Sequence, residues 1–261
     1  MGFTPDLSAL QFDFPVDRRA AMPTHATKKP LTRTWDKITR GIIHHTGELH
    51  GRTADQHARF HTRAKEKAPN GKYYGRGWAT VAYTGYVGDD ARKEWILAFE
   101  KIGYNTYGNY MDSVGVVVEG DFEKEVVTVD QVQATIEMCV WIDAMLGRRL
   151  VWTFHNDVLP GYTCPGKNFP KHAVLAGIEA WYEAAEELHE AEADLEDLMD
   201  GPETLPPADT LDKMEEELGE VPVIDPTPAP PSIRKDISPL VKILVGGIIL
   251  GLIFILIMAW V

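Results

Sequence analysis

His155 and Cys164 both lie in FHNDVLPGYTCPG, residues 154–166, where two prolines and two glycines force turns. A histidine and a cysteine joined by a tight loop supply two of the three protein ligands that a catalytic zinc site draws from His, Cys, Asp and Glu, leaving a fourth position for water. The third must come from elsewhere. An adjacent pair, His44 and His45, sits at the end of the β-branched stretch KITRGIIHHTG, residues 37–47. Neighbouring residues of a strand point to opposite faces, so one of the pair can share a site with His155 while the other turns away. Strand parity leaves open which one does so. A site of this kind serves hydrolysis, by acidifying water and polarising a carbonyl.

The elements that must position these residues alternate between strand and helix. KITRGIIHHTG reads as a buried strand, and TADQHARFHTRAKEKA, residues 53–68, as a helix started by Thr53 with His57, Phe60 and His61 on one face. Three more strands are expected from Thr80, Glu94 and Ser113. TVDQVQATIEMCVWIDAML has helical periodicity behind a cap at Thr128, RLVWTF is a short strand leading into His155, and a last long helix runs from about Lys171 towards Met199. This alternation implies an α/β fold, its sheet covered by helices on both faces. Residues 1–36, of mixed polarity with scattered prolines, read as an irregular arm.

With 261 residues and 44% apolar composition, the chain can build a sizeable core. Its two cysteines exclude a disulfide framework, and Cys139, inside an apolar helix, reads as a small core residue. The net charge of −13 is local: residues 179–225 hold 18 acidic residues and one lysine, a balance of −17, which leaves the rest of the chain at +4. This acidic segment and the proline-rich VPVIDPTPAPPS form a linker over residues 184–238. Residues 243–261 carry no charge and as a helix would span roughly 28 Å, so 239–261 is expected to be a single transmembrane anchor. Gly247 and Gly251 could support its dimerisation. The N-terminus has no basic and apolar pattern of a secretory signal.

GIIHHTG, WATVAYTGYVG, DSVGVVVEGDF and HNDVLPGYTCPG, in this order, resemble the zinc-dependent N-acetylmuramoyl-L-alanine amidases, the group that includes amidase-type phage lysozymes and the peptidoglycan recognition proteins. The resemblance covers an amidase domain at residues 37–183 and implies a mixed central sheet flanked by helices. It implies one zinc ion per chain, held by His44, His155 and Cys164. It places a catalytic tyrosine at Tyr83, which on its own would read as a packed sheet aromatic. A second polar catalytic residue lies two positions before the cysteine in the family, commonly Lys or Thr. Here that position is Tyr162, with Thr163 next to Cys164, and either could serve. Asp157 is a candidate to orient a ligand, and Asn105, Tyr107 and Asn109 in NTYGNYMDS are expected to line a substrate groove.

The implied activity is cleavage of the amide between N-acetylmuramic acid and L-alanine in peptidoglycan, as in a phage lysis enzyme or a membrane-tethered cell-wall amidase. No nucleic-acid partner is expected. Arg234, Lys235 and Lys242 flank the span on one side only, which places the catalytic domain on the cytoplasmic side until lysis, with an inverted topology as the other possibility. Two other classes fit parts of the chain. One is an anchored peptidoglycan-binding module without catalysis; the other is an anchored interaction protein whose acidic helix docks a basic partner.

Overall fold

Arg40–His45 (β2) forms where the β-branched stretch is buried along nearly its whole length, as expected for a strand in the middle of a covered sheet. The computed structural model describes residues 13–48 and 51–200. The other elements are Val16–Asp17 (β1), Ala54–Thr62 (α1), Gly85–Val87 (β3), Lys93–Trp95 (β4), Ser113–Val118 (β5), Val129–Leu146 (α2), Val151–Phe154 (β6), the single turn His155–Val158 (α3) and Lys171–Asp200 (α4). The six strands form one sheet in the order β1-β4-β3-β5-β2-β6. Only β3 and β4 run antiparallel; every other pairing is parallel.

The helix starts expected at Thr53 and Thr128 carry capping boxes. Thr53 and Gln56 satisfy each other's backbone amides ahead of α1, and Thr128 and Gln131 do the same for α2. α1 stops at Thr62, short of the expected Ala68. The carbonyls of Phe60, His61 and Arg63 accept instead from the amides of Arg76, Trp78 and Gly77, at 2.9, 2.8 and 2.7 Å, as the chain folds back. The strands expected from Thr80 and Glu94 pair over only three residues each. The carbonyl of Thr84 accepts from both Ile96 and Leu97, at 2.9 and 3.4 Å, which puts the ladder out of step there. The arm is irregular for most of its described length but contributes β1, the edge strand beside β4, with the Arg19 guanidinium 3.3 Å above the Trp95 ring.

One face of the sheet packs against α2 and α4 through Ile43, Val116, Phe154, Met138 and Trp181 among others. Gly177 lets α4 approach closely, since a Cβ there would lie 2.3 Å from Ile136. Cys139 is fully buried in this layer. The opposite face carries α1 and a smaller cluster with Ala58, Tyr86, Ile96 and Val117. α4 continues through residue 183 into the acidic segment, and among its described side chains the last buried one is Ala185. Among the described residues no helix is long and apolar enough to cross a membrane; the expected span and most of the linker lie outside them.

Asp143 joins three elements. Buried near the end of α2, its carboxyl accepts from the Leu150 amide at 3.2 Å, the Trp152 indole at 3.1 Å and the Tyr182 hydroxyl at 2.6 Å. Burial pushes this carboxyl up to about 7, against the pull of those donors. Because the folded value lies above the unfolded one, its stabilising contribution is complete below about pH 4 and is lost as pH rises through 7, to the extent of about 4 kcal/mol. Asp143→Asn is therefore expected to unfold with a shallower fall in stability from pH 4 to 7 than the native chain, measured by denaturant titration. Parallel curves would show that the carboxyl is ionised in the fold.

Candidate metal centre

The register of the sheet decides which histidine of the pair faces the site. β2 and β6 run parallel with Ile43 opposite Phe154, so the next residues, His44 and His155, leave the sheet on the same face. Their rings lie 4.7 Å apart. The loop after α3 brings Cys164 back to them. Its carbonyl accepts from the Asn156 amide at 2.9 Å, and its peptide bond to Pro165 is cis. His44, His155 and Cys164 place their ligand atoms within 4.8 Å of one another at the carboxyl ends of parallel strands. His45 points the other way: its Nδ1 accepts from the Phe122 amide at 3.2 Å, and its own amide donates to the Cys164 sulfur at 3.4 Å.

This donor set fits a tetrahedral zinc ion. Bond lengths of about 2.0–2.1 Å to nitrogen and 2.3 Å to sulfur put tetrahedral neighbours roughly 3.6 Å apart, and His44 Nδ1 lies 3.7 Å from Cys164 Sγ. Burial, then the neighbouring His155 and His45, hold His44 well below the usual imidazole range, so its ring is neutral and free to ligate a cation. Burial likewise lowers His155. The Cys164 thiol is pushed up to about 12 by burial, opposed by the His45 amide and by Lys171. A divalent cation among the three atoms would reverse that balance and take the thiolate.

Tyr83 stands just before β3 rather than on it, with its ring 5.1 Å from His44 and 5.7 Å from His61. Burial pushes its phenol well above the usual range, so the hydroxyl stays protonated and able to donate. Gly115 makes room for it: a Cβ there would lie 3.1 Å from the Tyr83 ring and 2.9 Å from Asn105. Tyr162 is 57% exposed and stacks on His155 at 4.9 Å. Thr163 is exposed, and its carbonyl accepts from the Gly166 amide at 2.7 Å. Asp157, on α3, accepts from Lys171 through its carboxylate at 2.7 Å.

The expected groove residues divide. Asn105 is buried and accepts from the Ser113 hydroxyl at 3.2 Å, and Asn109 accepts from Arg40 at 3.1 Å, whereas Tyr107 is 84% exposed. Between them, Thr106 is buried with its hydroxyl 3.4 Å from His44 Nε2, the nitrogen facing away from the cysteine. Arg33 of the arm fixes this loop from outside, donating to the carbonyls of Phe99, Tyr110, Met111 and Ser113 at 2.7–3.2 Å. Of the helical histidines, His57 meets Glu119 at 2.9 Å, while burial pulls His61 down to about 3 and its Nδ1 accepts from the Ala82 amide. Sequence reading missed Thr106 and Arg33. Thr106 lies within the stretch read as a groove, and nothing local distinguishes Arg33. Partners that orient a metal-binding imidazole are worth roughly 10- to 100-fold in affinity. Thr106→Val is expected to weaken zinc binding about tenfold in a competitive chelator titration, with unchanged thermal unfolding of the metal-free chain.

No family model and no curated protein matches the chain. Solved structures similar to it include the N-acetylmuramoyl-L-alanine amidase LysC from Clostridium intestinale, with 20% identity over 64% of this chain and 99% of that one and a TM-score of 0.49. Another is peptidoglycan recognition protein-LE in complex with tracheal cytotoxin, 19% identical over 64% of this chain and 92% of that one, TM-score 0.49. A third is an endolysin from a Thermus scotoductus bacteriophage, 19% identical over 59% and 92%, TM-score 0.47. They belong to the groups that the sequence motifs resemble.

Proposed function

We propose that the chain is a zinc-dependent N-acetylmuramoyl-L-alanine amidase that hydrolyses the bond between the lactyl group of N-acetylmuramic acid and the first L-alanine of the peptide stem. The observation that carries this reading is the convergence of His44, His155 and Cys164 within 4.8 Å, with the Tyr83 ring 5.1 Å from His44. Zinc held by those residues would acidify water and polarise the amide carbonyl. Cys164 would contribute a thiolate, favoured by the His45 amide on its sulfur. Thr106 would set the orientation of the His44 ring through Nε2. Tyr83, kept protonated, would donate a hydrogen bond to the amide oxygen as charge develops on it. Tyr162, stacked on His155, would take the second polar role rather than Thr163, since its ring lies against a ligand. Tyr107 would present an aromatic surface to the glycan or stem beside the Thr106 contact.

The catalytic domain would be tethered by residues 239–261, with Arg234, Lys235 and Lys242 holding it on the cytoplasmic side until lysis. Protease accessibility in intact and permeabilised cells distinguishes that orientation from the inverted one. The catalytic reading is tested on the full chain by measuring zinc content alongside the new ends released from purified peptidoglycan. One zinc per chain with new L-alanine amino termini is expected. Zinc without cleavage would make the protein a binding module, and new reducing ends in place of amino termini would assign the cut to the glycan.

A further inference from the structure

Between α1 and β3 the chain folds back on itself over residues 63–77. Lys67 pairs antiparallel with Tyr73. The Tyr74 amide donates to the Glu66 carbonyl at 2.9 Å, and the Gly77 amide closes the base on the Arg63 carbonyl at 2.7 Å. Along this hairpin Arg63, Lys65, Lys67, Lys72 and Arg76 are all exposed, with Glu66 as the single acid. None of the five cations is ion-paired with a described residue. Many other cations on the described surface are ion-paired, among them Arg19 with Asp17, Arg59 with Asp55, Arg92 with Asp90, Lys124 with Asp121 and Lys171 with Asp157, whereas exposed cations without such a partner, such as Lys29 and Lys167, lie far apart in the sequence.

Tyr73 and Tyr74 are 45% and 49% exposed, with Lys65 4.8 Å from the first ring and Arg63 5.4 Å from the second. The hairpin therefore presents concentrated positive charge next to two aromatic surfaces. It is also continuous with the metal centre. Arg76 lies 5.8 Å from the Trp78 ring, Trp78 lies 5.0 Å from His61, and His61 and Tyr83 lead on to His44.

We propose that the 63–77 hairpin binds a linear phosphodiester-linked polyol polymer of the cell wall and so holds that wall against the metal centre, a role that rests on the peptidoglycan reading above. Lysine and arginine head groups match phosphate charge, and tyrosine faces cover the C–H surface of a polyol or sugar. Five cations to two exposed rings suits a polymer charged at every repeat with little flat surface. Single-stranded nucleic acid calls instead for an aromatic platform for successive bases.

The test uses the full chain in neutral detergent, with poly(glycerol phosphate) and a single-stranded oligonucleotide of equal charge as separate probes. Binding of the polyol phosphate is expected to weaken roughly 50-fold between about 50 and 200 mM salt, as for about four phosphate contacts. The combined variant Lys65→Glu, Lys67→Glu, Lys72→Glu is expected to bind at least about tenfold more weakly while cleaving a small soluble muramyl peptide at the native rate. Unchanged polymer binding by the variant overturns the proposal, and so does tighter binding of the oligonucleotide than of the polyol phosphate. Polymer binding that responds to the charge reversal in a chain inactive on muramyl peptide supports the surface and removes the catalytic reading.

Discussion

Cys164→Ala is expected to leave a folded chain that retains no zinc and releases amino termini from peptidoglycan at least about 10³-fold more slowly. Two imidazoles remain in that variant, but two neutral ligands without the thiolate lack both the charge and the third corner of the donor set. The fold should survive. The loop is held by its backbone, through Asn156 to the Cys164 carbonyl and Leu159 to the His155 carbonyl, both at 2.9 Å. Metal analysis, thermal unfolding and amino-terminus release on one preparation separate these effects. An active, metal-free Cys164→Ala chain would sink the mechanism.

Tyr83→Phe should give the opposite pattern, with zinc retained and turnover lost. The change removes one oxygen and leaves the ring in its place between His44, His61 and Gly115, so neither the ligand cluster nor the sheet has reason to move. Loss of one donor aimed at a developing charge costs about 10²–10³ in kcat with little change in KM. Steady-state kinetics on a soluble muramyl peptide read both constants. An unaltered kcat would make Tyr83 a packing residue.

The sequence signals that proved legible are local ones. The β-branched run of β2, the Thr53 and Thr128 caps, and the helical periodicity of α2 and α4 each lie within a few residues, and the structure forms those elements close to the expected places. The motif resemblance picked His44 out of the histidine pair; the parallel register of β2 with β6 is the physical reason that it and His155 leave the sheet on one face. Contacts that reach across the chain were not legible. α1 ends early because its last carbonyls are claimed by residues 76–78. Tyr83 falls outside β3 because two amides converge on the Thr84 carbonyl. Asp157 is drawn to Lys171 across a loop, and Arg33 reaches four carbonyls in distant segments. Each depends on where a remote segment arrives, which neither periodicity nor capping encodes.

The opposed side chains of His44 and His45 bear on how the chain assembles. β2 is clamped between β5 and β6 in a single register, and a slip of one residue would exchange the two imidazoles along with every apolar contact of the strand. His45 would then enter the cluster while His44 lost its contact with Thr106. A threading error in the central strand would thus still set an imidazole beside His155 and Cys164, so the adjacent pair cannot police the register; that falls to the apolar side chains of β2, which only the native threading buries.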